Sequence, residues 1–255
     1  MRLTTLTLTA MTALIGAAQA ESMPPVRPYA RVEVAPPEPF EDASFEAFRR
    51  ELATVVRGRV YAELARLTVT QGFFWERDFA RGFDPHRPTV DNLAAAVRLE
   101  HGAGTGWNAL AAFAAEASAA QLPAHPGVIC APRQPRFDET EFDRLIRQSG
   151  IEPVAWAYPN SDRTALRAAP NTAAATIETF GRTFVRLLGA NDAGRAAADR
   201  IPALGGTQWA AVAAPSGKSG FVAPGALLAL ASPRLCYAKD EVARWRITGY
   251  IGAGD

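Results

Sequence analysis

Residues 216–219, with the sequence Ser-Gly-Lys-Ser, have the residue types of a phosphate-binding loop. A Walker-type loop needs a glycine five positions before Gly217 and a helix directly after the lysine, because backbone N–H groups and the helix N-terminus together surround the phosphates. Val212 stands at that first position, and the apolar residues at 221–222 predict a strand. We therefore predict that residues 215–218 form a β-hairpin turn instead of a nucleotide site.

Metal and nucleophile chemistry depends on the two cysteines and three histidines of the chain. Cys130 and Cys236 are isolated, and His86, His101 and His125 lack the short spacings that are typical of metal ligands. Neither cysteine lies in a sequence context typical of a catalytic nucleophile. We therefore predict no catalytic residue, no metal site and no cofactor. An unrecognised periplasmic hydrolase stays as an alternative.

The first twenty residues have the three parts of a secretory leader. Arg2 supplies the positive charge, residues 3–18 are apolar or weakly polar, and Ala18 and Ala20 form an A-x-A cleavage site. The apolar core is interrupted by threonines and is short for a bilayer span, and no later stretch is apolar enough to be one. We expect an exported, soluble chain with no membrane span after leader removal. Its expected location is the bacterial periplasm, with secretion as the alternative.

Export to an oxidising compartment predicts a disulfide between Cys130 and Cys236, because two cysteines allow only one intramolecular pairing. Such a bond closes a long loop and stabilises the fold by roughly 4–5 kcal/mol in the chain-entropy description. Two buried free thiols are the alternative.

The charge balance argues against nucleic acid as a partner. The full chain has 27 basic and 26 acidic residues, and loss of Arg2 with the leader makes the two counts equal. Nucleic-acid binding needs clustered Lys and Arg to neutralise phosphates, and the sequence contains no basic run. We therefore predict no nucleic-acid binding.

The region before residue 150 divides into a linker and a helical domain. Residues 21–40 contain six prolines, which deny the segment a helix and predict an extended, mobile tether. Residues 41–150 have apolar residues at three- and four-residue spacing, typical of amphipathic helices. Asp42 or Ser44 is the expected N-cap of the first helix, and residues 138–141 form a capping box for the last one.

After residue 150 the pattern changes to strand-length apolar runs between Pro, Gly, Asn and Ser residues. Residues 209–222 predict one hairpin and residues 235–250 a second, terminal one. Residues 189–207 predict a long loop. The whole pattern predicts an α+β protein: a mainly helical N-terminal domain, then a domain at 151–255 with a small β-barrel and an extra C-terminal hairpin.

The sequence Ala-Leu-Arg-Ala-Ala-Pro at 165–170, Trp209, and Gly-Lys-Ser-Gly-Phe-Val at 217–222 resemble the pattern of bacterial SH3 domains. Phe221 replaces the usual second Trp of that pattern, and Ala165 replaces the Asn of its opening strand. The mature chain is similar to uncharacterised exported proteobacterial proteins that carry such a C-terminal domain. The resemblance implies an SH3-like barrel with non-enzymatic binding of peptide or cell wall.

Four aromatic residues of this region are the candidate ligand contacts: Trp156, Tyr158, Trp209 and Phe221. An SH3-like groove presents aromatic faces to an extended peptide. Strand alternation lets only some of the four point outward, so core packing is the alternative for each. We expect a binding module for an extended peptide or cell-wall peptide, with peptide, peptidoglycan or an envelope protein as partner. The alternative is a structural envelope protein whose barrel packs on its own helical domain.

Overall fold

A computed structural model describes residues 23–77, 80–99, 104–189 and 208–253. The predicted leader at 1–20 and nearly all of the predicted loop at 189–207 lie outside these residues. Within the described ranges the chain forms five α-helices and three β-sheets, which confirms the predicted α+β class. In the same ranges, no helix is both long and apolar enough to cross a membrane.

The helices lie before residue 150, as predicted, and the first and the last have a side-chain N-cap. They are α1 Ala43–Gly58, α2 Tyr61–Leu67, α3 Thr89–Ala96, α4 Thr105–Ala115 and α5 Glu139–Ser149. Asp42 caps α1, because its carboxylate accepts hydrogen bonds from the N–H groups of Ser44 at 2.8 Å and Phe45 at 3.0 Å. Asp138 caps α5 by accepting from the N–H group of Glu141 at 2.9 Å. Both predicted N-caps are therefore present.

The strands are short and spread over the whole described chain. In chain order they are β1 Val34–Ala35, β2 Phe74–Glu76, β3 Ala120–Gln121, β4 Ile129–Ala131, β5 Arg136–Phe137, β6 Trp156–Pro159, β7 Thr164–Arg167, β8 Thr176–Phe180, β9 Val185–Leu187, β10 Ala210–Ala213, β11 Ser219–Val222, β12 Leu227–Ala229, β13 Arg234–Lys239 and β14 Trp245–Ile251. Strands β1 and β5 pair only with each other, and the others form two larger sheets.

The first larger sheet has five strands in the order β2-β14-β13-β4-β3. Its centre is the predicted terminal hairpin, β13 and β14, whose other partners β4 and β2 come from before residue 150. On β13 the side chains alternate: Leu235 and Tyr237 pack against helices α1 to α4, and Cys236 points to the opposite face. The helices therefore close their core on a strand pair from the far end of the chain.

The second larger sheet has seven strands in the order β12-β6-β9-β10-β11-β7-β8, and all its ladders are antiparallel. One face, here called the inner face, carries a compact apolar core: Ala157, Leu166, Phe180, Val185, Leu187, Val212, Ala214, Val222 and Leu227. The predicted closed barrel is not found: among the described residues no ladder joins the end strands β12 and β8. With β12 and β6 at one end, the sheet has more strands than a small barrel requires.

The opposite, outer face of the same sheet is covered at its β12–β6 end. Helix α5 contributes Phe142 and Leu145, and the N-terminal segment contributes Val32 and Val34. These side chains surround the ring of Phe184, which is fully buried. The outer face therefore joins the sheet to the helical half of the molecule.

The N-terminal segment is extended, as its prolines predict, but part of it is packed and not free. The backbone N–H groups of Val26 and Tyr29 donate to the carbonyls of Gly217 at 2.9 Å and Pro215 at 3.1 Å. Further along, Val34 N–H donates at 3.0 Å to the carbonyl of Arg182, which lies between β8 and β9. The physical reason is that Tyr29 and the valines of this segment supply apolar side chains which the proline count does not reveal.

Candidate functional site

Trp156, the first predicted ligand contact, lies at the centre of the outer-face core. It is on β6 and has no exposed surface. Its ring meets Tyr29 edge-to-face with 5.1 Å between ring centroids, and Phe142 at 6.4 Å. A ligand cannot contact Trp156 unless the N-terminal segment or α5 moves away.

Tyr158, two residues further along β6, is also buried. Burial raises the pKa of its hydroxyl well above the usual value for tyrosine. Tyr158 borders a cavity of about 20 Å³ together with Leu228 and Pro132. That space suits a water molecule and is too small for a peptide side chain, so this end of the face is not an open groove.

Trp209 and Phe221, the other two predicted contacts, are half-buried and share the outer face. The register pairs Ala211 of β10 with Phe221 of β11, and Trp209 continues the alternation two residues before Ala211. Their neighbours Val212 and Val222 point inward and are fully buried. The two aromatic side chains therefore lie diagonally across a strand pair, with part of each surface accessible.

Tyr29 anchors the N-terminal segment on the outer face next to Trp156. Its hydroxyl donates to the carbonyl of Ala213 at 2.7 Å and accepts from the N–H group of Arg186 at 3.2 Å. Burial raises the pKa of Tyr29 well above its usual value. The β10–β11 turn and Arg182 thus hold the extended, proline-rich segment through main-chain hydrogen bonds, and the Tyr29 side chain packs on the outer face.

The predicted hairpin turn replaces the phosphate loop. Residues 215–218 connect β10 to β11, and Gly217 has a φ of 85°, in the left-handed region that glycine adopts without strain. A Cβ atom at Gly217 would lie 2.5 Å from the carbonyl oxygen of Val26. This glycine is therefore required by the turn and by the N-terminal segment that crosses it.

The predicted disulfide between Cys130 and Cys236 is present. The two residues face each other across β4 and β13, and both are buried. The bond therefore fixes the helical region to the terminal hairpin. A cysteine nucleophile is not available at either position.

The described residues contain no group of three or more His, Cys, Asp or Glu side chains that could hold a metal ion. The closest pairing of a histidine with a carboxylate is His125 Nε2 with Glu76 Oε1 at 2.8 Å. His125 also stacks on Phe74, with 4.2 Å between the ring centroids. These contacts fix the β3–β4 loop over the sheet. His101 and Asp78 lie outside the described residues.

Sequence reasoning missed an arginine-lined depression beside the disulfide. Arg77, Arg133, Arg136 and Arg234 line an open space of about 500 Å³, whose floor includes Cys130. The arginines are separated by up to 157 positions, so no basic run marks them. The pairing of β4 with β13 brings Arg133 near Arg234, and the pairing of β2 with β14 brings Arg77 to the same end of the sheet.

The chain matches no family model, no curated protein and no solved structure. The described residues form an α+β fold with two larger sheets.

Proposed function

We propose that the protein is an exported, non-enzymatic binding protein whose seven-stranded sheet recognises an extended peptide. The ligand class is a cell-wall peptide or an extended segment of an envelope protein. The observation that carries the proposal is the outer face of the sheet. It packs against apolar side chains of the chain's own extended segment, and part of the surface of Trp209 and Phe221 is accessible.

Aromatic-lined surfaces are a common way to bind extended peptides. Strands β10 and β11 lie inside the sheet and their main-chain groups face neighbouring strands, so a ligand on this face is bound by side-chain contacts. At the accessible part of the outer face, Trp209 and Phe221 provide the apolar surface, and the small Ala211 between them leaves room for a ligand backbone.

The resemblance to bacterial SH3 domains supports the same class of function. The residues that carry it fall in β7 to β11, which are five consecutive strands of the ladder in the order β9-β10-β11-β7-β8. Fold-level likeness is a weak functional warrant on its own, so the proposal depends first on the accessible aromatic pair.

The proposed location is the periplasm, with secretion as the alternative. A leader at residues 1–20 would direct export, and the Cys130–Cys236 disulfide is the kind of bond that an oxidising compartment sustains.

The test is binding of the chain lacking residues 1–20 to a soluble muropeptide mixture from digested peptidoglycan and to immobilised envelope extract. We expect Trp209→Ala and Phe221→Ala each to weaken binding by about tenfold or more, since aromatic anchors dominate interface energies. Tyr61→Ala is the matched control, because Tyr61 is 41% exposed and lies on α2 in the helical half. Wild-type protein that binds neither preparation, or equal losses in all three variants, would overturn the proposal.

A structural role is the second candidate, and a specific observation favours it. Trp156 and Tyr158, two of the four predicted contacts, are buried between the seven-stranded sheet, α5 and the N-terminal segment. In this role the outer face serves only to join the two halves of the molecule. Stability losses without any change in ligand capture, across variants of all four aromatic residues, would select this role.

A further inference from the structure

The depression beside the disulfide concentrates positive charge in a molecule whose charges are otherwise balanced. Arg77 follows β2, Arg133 follows β4, Arg136 lies in β5 and Arg234 begins β13. Gln134 adds a neutral polar group to the same lining. Four guanidinium groups from four segments of the chain therefore face one open space.

Most of this charge has no carboxylate partner among the residues that the structure describes. Arg136 pairs with Glu38 at 2.8 Å at the edge of the depression. Among the described residues, Arg77, Arg133 and Arg234 have no carboxylate within ion-pair distance. The nearby Glu76 is engaged by His125. Within the described ranges, three of the four cations therefore have no ion-pair partner and can interact with a ligand.

Two of these arginines are close enough to repel each other. Burial, and then the like charge of Arg77, lower the pKa of Arg234 below its usual value, and Glu76 opposes the shift. Arg77 also has a φ of 60°, a left-handed conformation that is unfavourable for a residue with a Cβ atom. Unfavourable conformations and like-charge clusters persist at ligand sites because a bound ligand uses them.

The backbone beneath the arginines is fixed before any ligand arrives. The N–H group of Arg133 donates to Ser118 Oγ at 3.1 Å, and Ser118 Oγ in turn donates to Glu116 at 2.6 Å. Cys130 and Cys236 join the two strands from which Arg133 and Arg234 emerge. A preorganised backbone reduces the entropy that binding must offset.

We propose that Arg77, Arg133, Arg136 and Arg234 form a binding site for a small organic polyanion. Its ligand carries at least two carboxylate or phosphate groups. Guanidinium groups form paired, charge-assisted hydrogen bonds with both kinds of oxyanion. A space of about 500 Å³ has the size of an ordinary small-ligand site. The site lies beyond the β12 end of the seven-stranded sheet and is separate from Trp209 and Phe221.

The test is isothermal titration calorimetry of the disulfide-bonded chain lacking residues 1–20, with citrate, pyrophosphate and acetate at one fixed ionic strength. We expect citrate or pyrophosphate to bind at least about tenfold more tightly than acetate, because only a polyanion engages several arginines. A preference for citrate assigns carboxylates as the ligand groups, and a preference for pyrophosphate assigns phosphates.

Arg77→Gln and Arg133→Gln are expected to weaken that binding by about tenfold or more. Arg144→Gln is the matched control: it removes the same charge from an exposed position on α5. Because Arg133 is partly buried, its substitution can reduce stability, so the thermal unfolding midpoint of each variant is measured too. Arg77 is exposed, so its substitution tests binding without disturbing the core.

Trp209→Ala should leave polyanion binding unchanged, which separates this site from the proposed peptide surface. Three results would overturn the site: no preference for polyanions over acetate, unchanged affinity in both folded depression variants, or an equal loss in Arg144→Gln.

Discussion

Gly217 is required for two reasons: the backbone conformation of the turn and the close packing of the N-terminal segment. Its φ of 85° favours glycine, and its missing side chain leaves room for the carbonyl of Val26. Gly225 has a similar φ of 71°, but no atom lies within 4 Å of the position of a Cβ. Substitution of Gly225 therefore tests the backbone conformation alone, and substitution of Gly217 tests the conformation together with a steric clash.

We expect Gly217→Ala to lower the free energy of unfolding by about 2 kcal/mol or more, and Gly225→Ala by about 1 kcal/mol. The difference arises because the new methyl group at Gly217 displaces the N-terminal segment. Urea unfolding of both variants measures it. Equal losses of unfolding free energy in the two variants would show that the close contact with Val26 does not affect stability.

Asp42 gives the N-terminal cap of α1 a dependence on pH. The hydrogen bond from the Ser44 hydroxyl, followed by the N–H group of Phe45, lowers the pKa of Asp42 from 3.8 to about 2. Because the pKa is lower in the folded state, the ionised cap stabilises the fold above about pH 4. That contribution is lost as the pH falls toward 2.

Asp42→Ala should therefore reduce stability by about 0.5–2 kcal/mol at pH 7 and by much less at pH 2. Thermal unfolding of wild type and variant at both pH values measures the difference. A stability loss that is the same at the two pH values would contradict an electrostatic role for this cap.

At the scale of elements, the disulfide joins β4 to β13 over a sequence separation of 106 residues. The double variant Cys130→Ala with Cys236→Ala should lose roughly 4–5 kcal/mol, since a long loop is no longer closed in the unfolded chain. Chemical unfolding of oxidised wild type and the double variant measures it. A loss below about 1 kcal/mol would mean that the sheet alone determines the pairing of these strands.

The N-terminal segment is the element that decides whether the outer face can open. Deleting residues 21–34 removes Tyr29 from Trp156, so tryptophan emission should shift to longer wavelength and protease cleavage should become faster. Deleting only residues 21–25 is the control, because Pro24 and Pro25 are exposed. Identical emission from both deletions would show that the segment does not protect the core.

Some of these elements were visible in the sequence, and others depend on distant parts of the chain. The helices were predicted because caps such as Asp42 and Asp138 act within a single turn. The β10–β11 hairpin was predicted for the same local reason. Strands β3 and β4 have two and three residues, which is too short for alternation to be visible. Strand β3 pairs with β4, and the other partner of β4 is β13, 106 positions further along at the paired cysteines.

The site follows the same division. That Trp209 and Phe221 share a face follows from the alternation of side chains in residues 209–212 and 219–222, which is visible in the sequence. The burial of Trp156 depends on Tyr29, and proline content predicted only that its segment is extended. The arginine-lined depression depends on the strand pairing that the disulfide fixes, so its residues have no common motif.

At the scale of the whole molecule, the two ends of the chain connect its halves. The N-terminal segment packs on the seven-stranded sheet, and the C-terminal hairpin forms the centre of the five-stranded sheet. Each half therefore includes chain from the other end of the sequence. We expect cooperative unfolding in one transition, measured by the coincidence of far-ultraviolet circular dichroism and tryptophan emission in urea. Two separate transitions would contradict this connection.

The most direct test of peptide recognition at the outer face is hydrogen–deuterium exchange of the chain lacking residues 1–20, with and without the muropeptide mixture. We predict slower exchange in β10 and β11 around Trp209 and Phe221 on binding, and no such change in Trp209→Ala. Protection confined to helices α1 to α4, or exchange that the mixture leaves unaltered throughout, would contradict the proposed function.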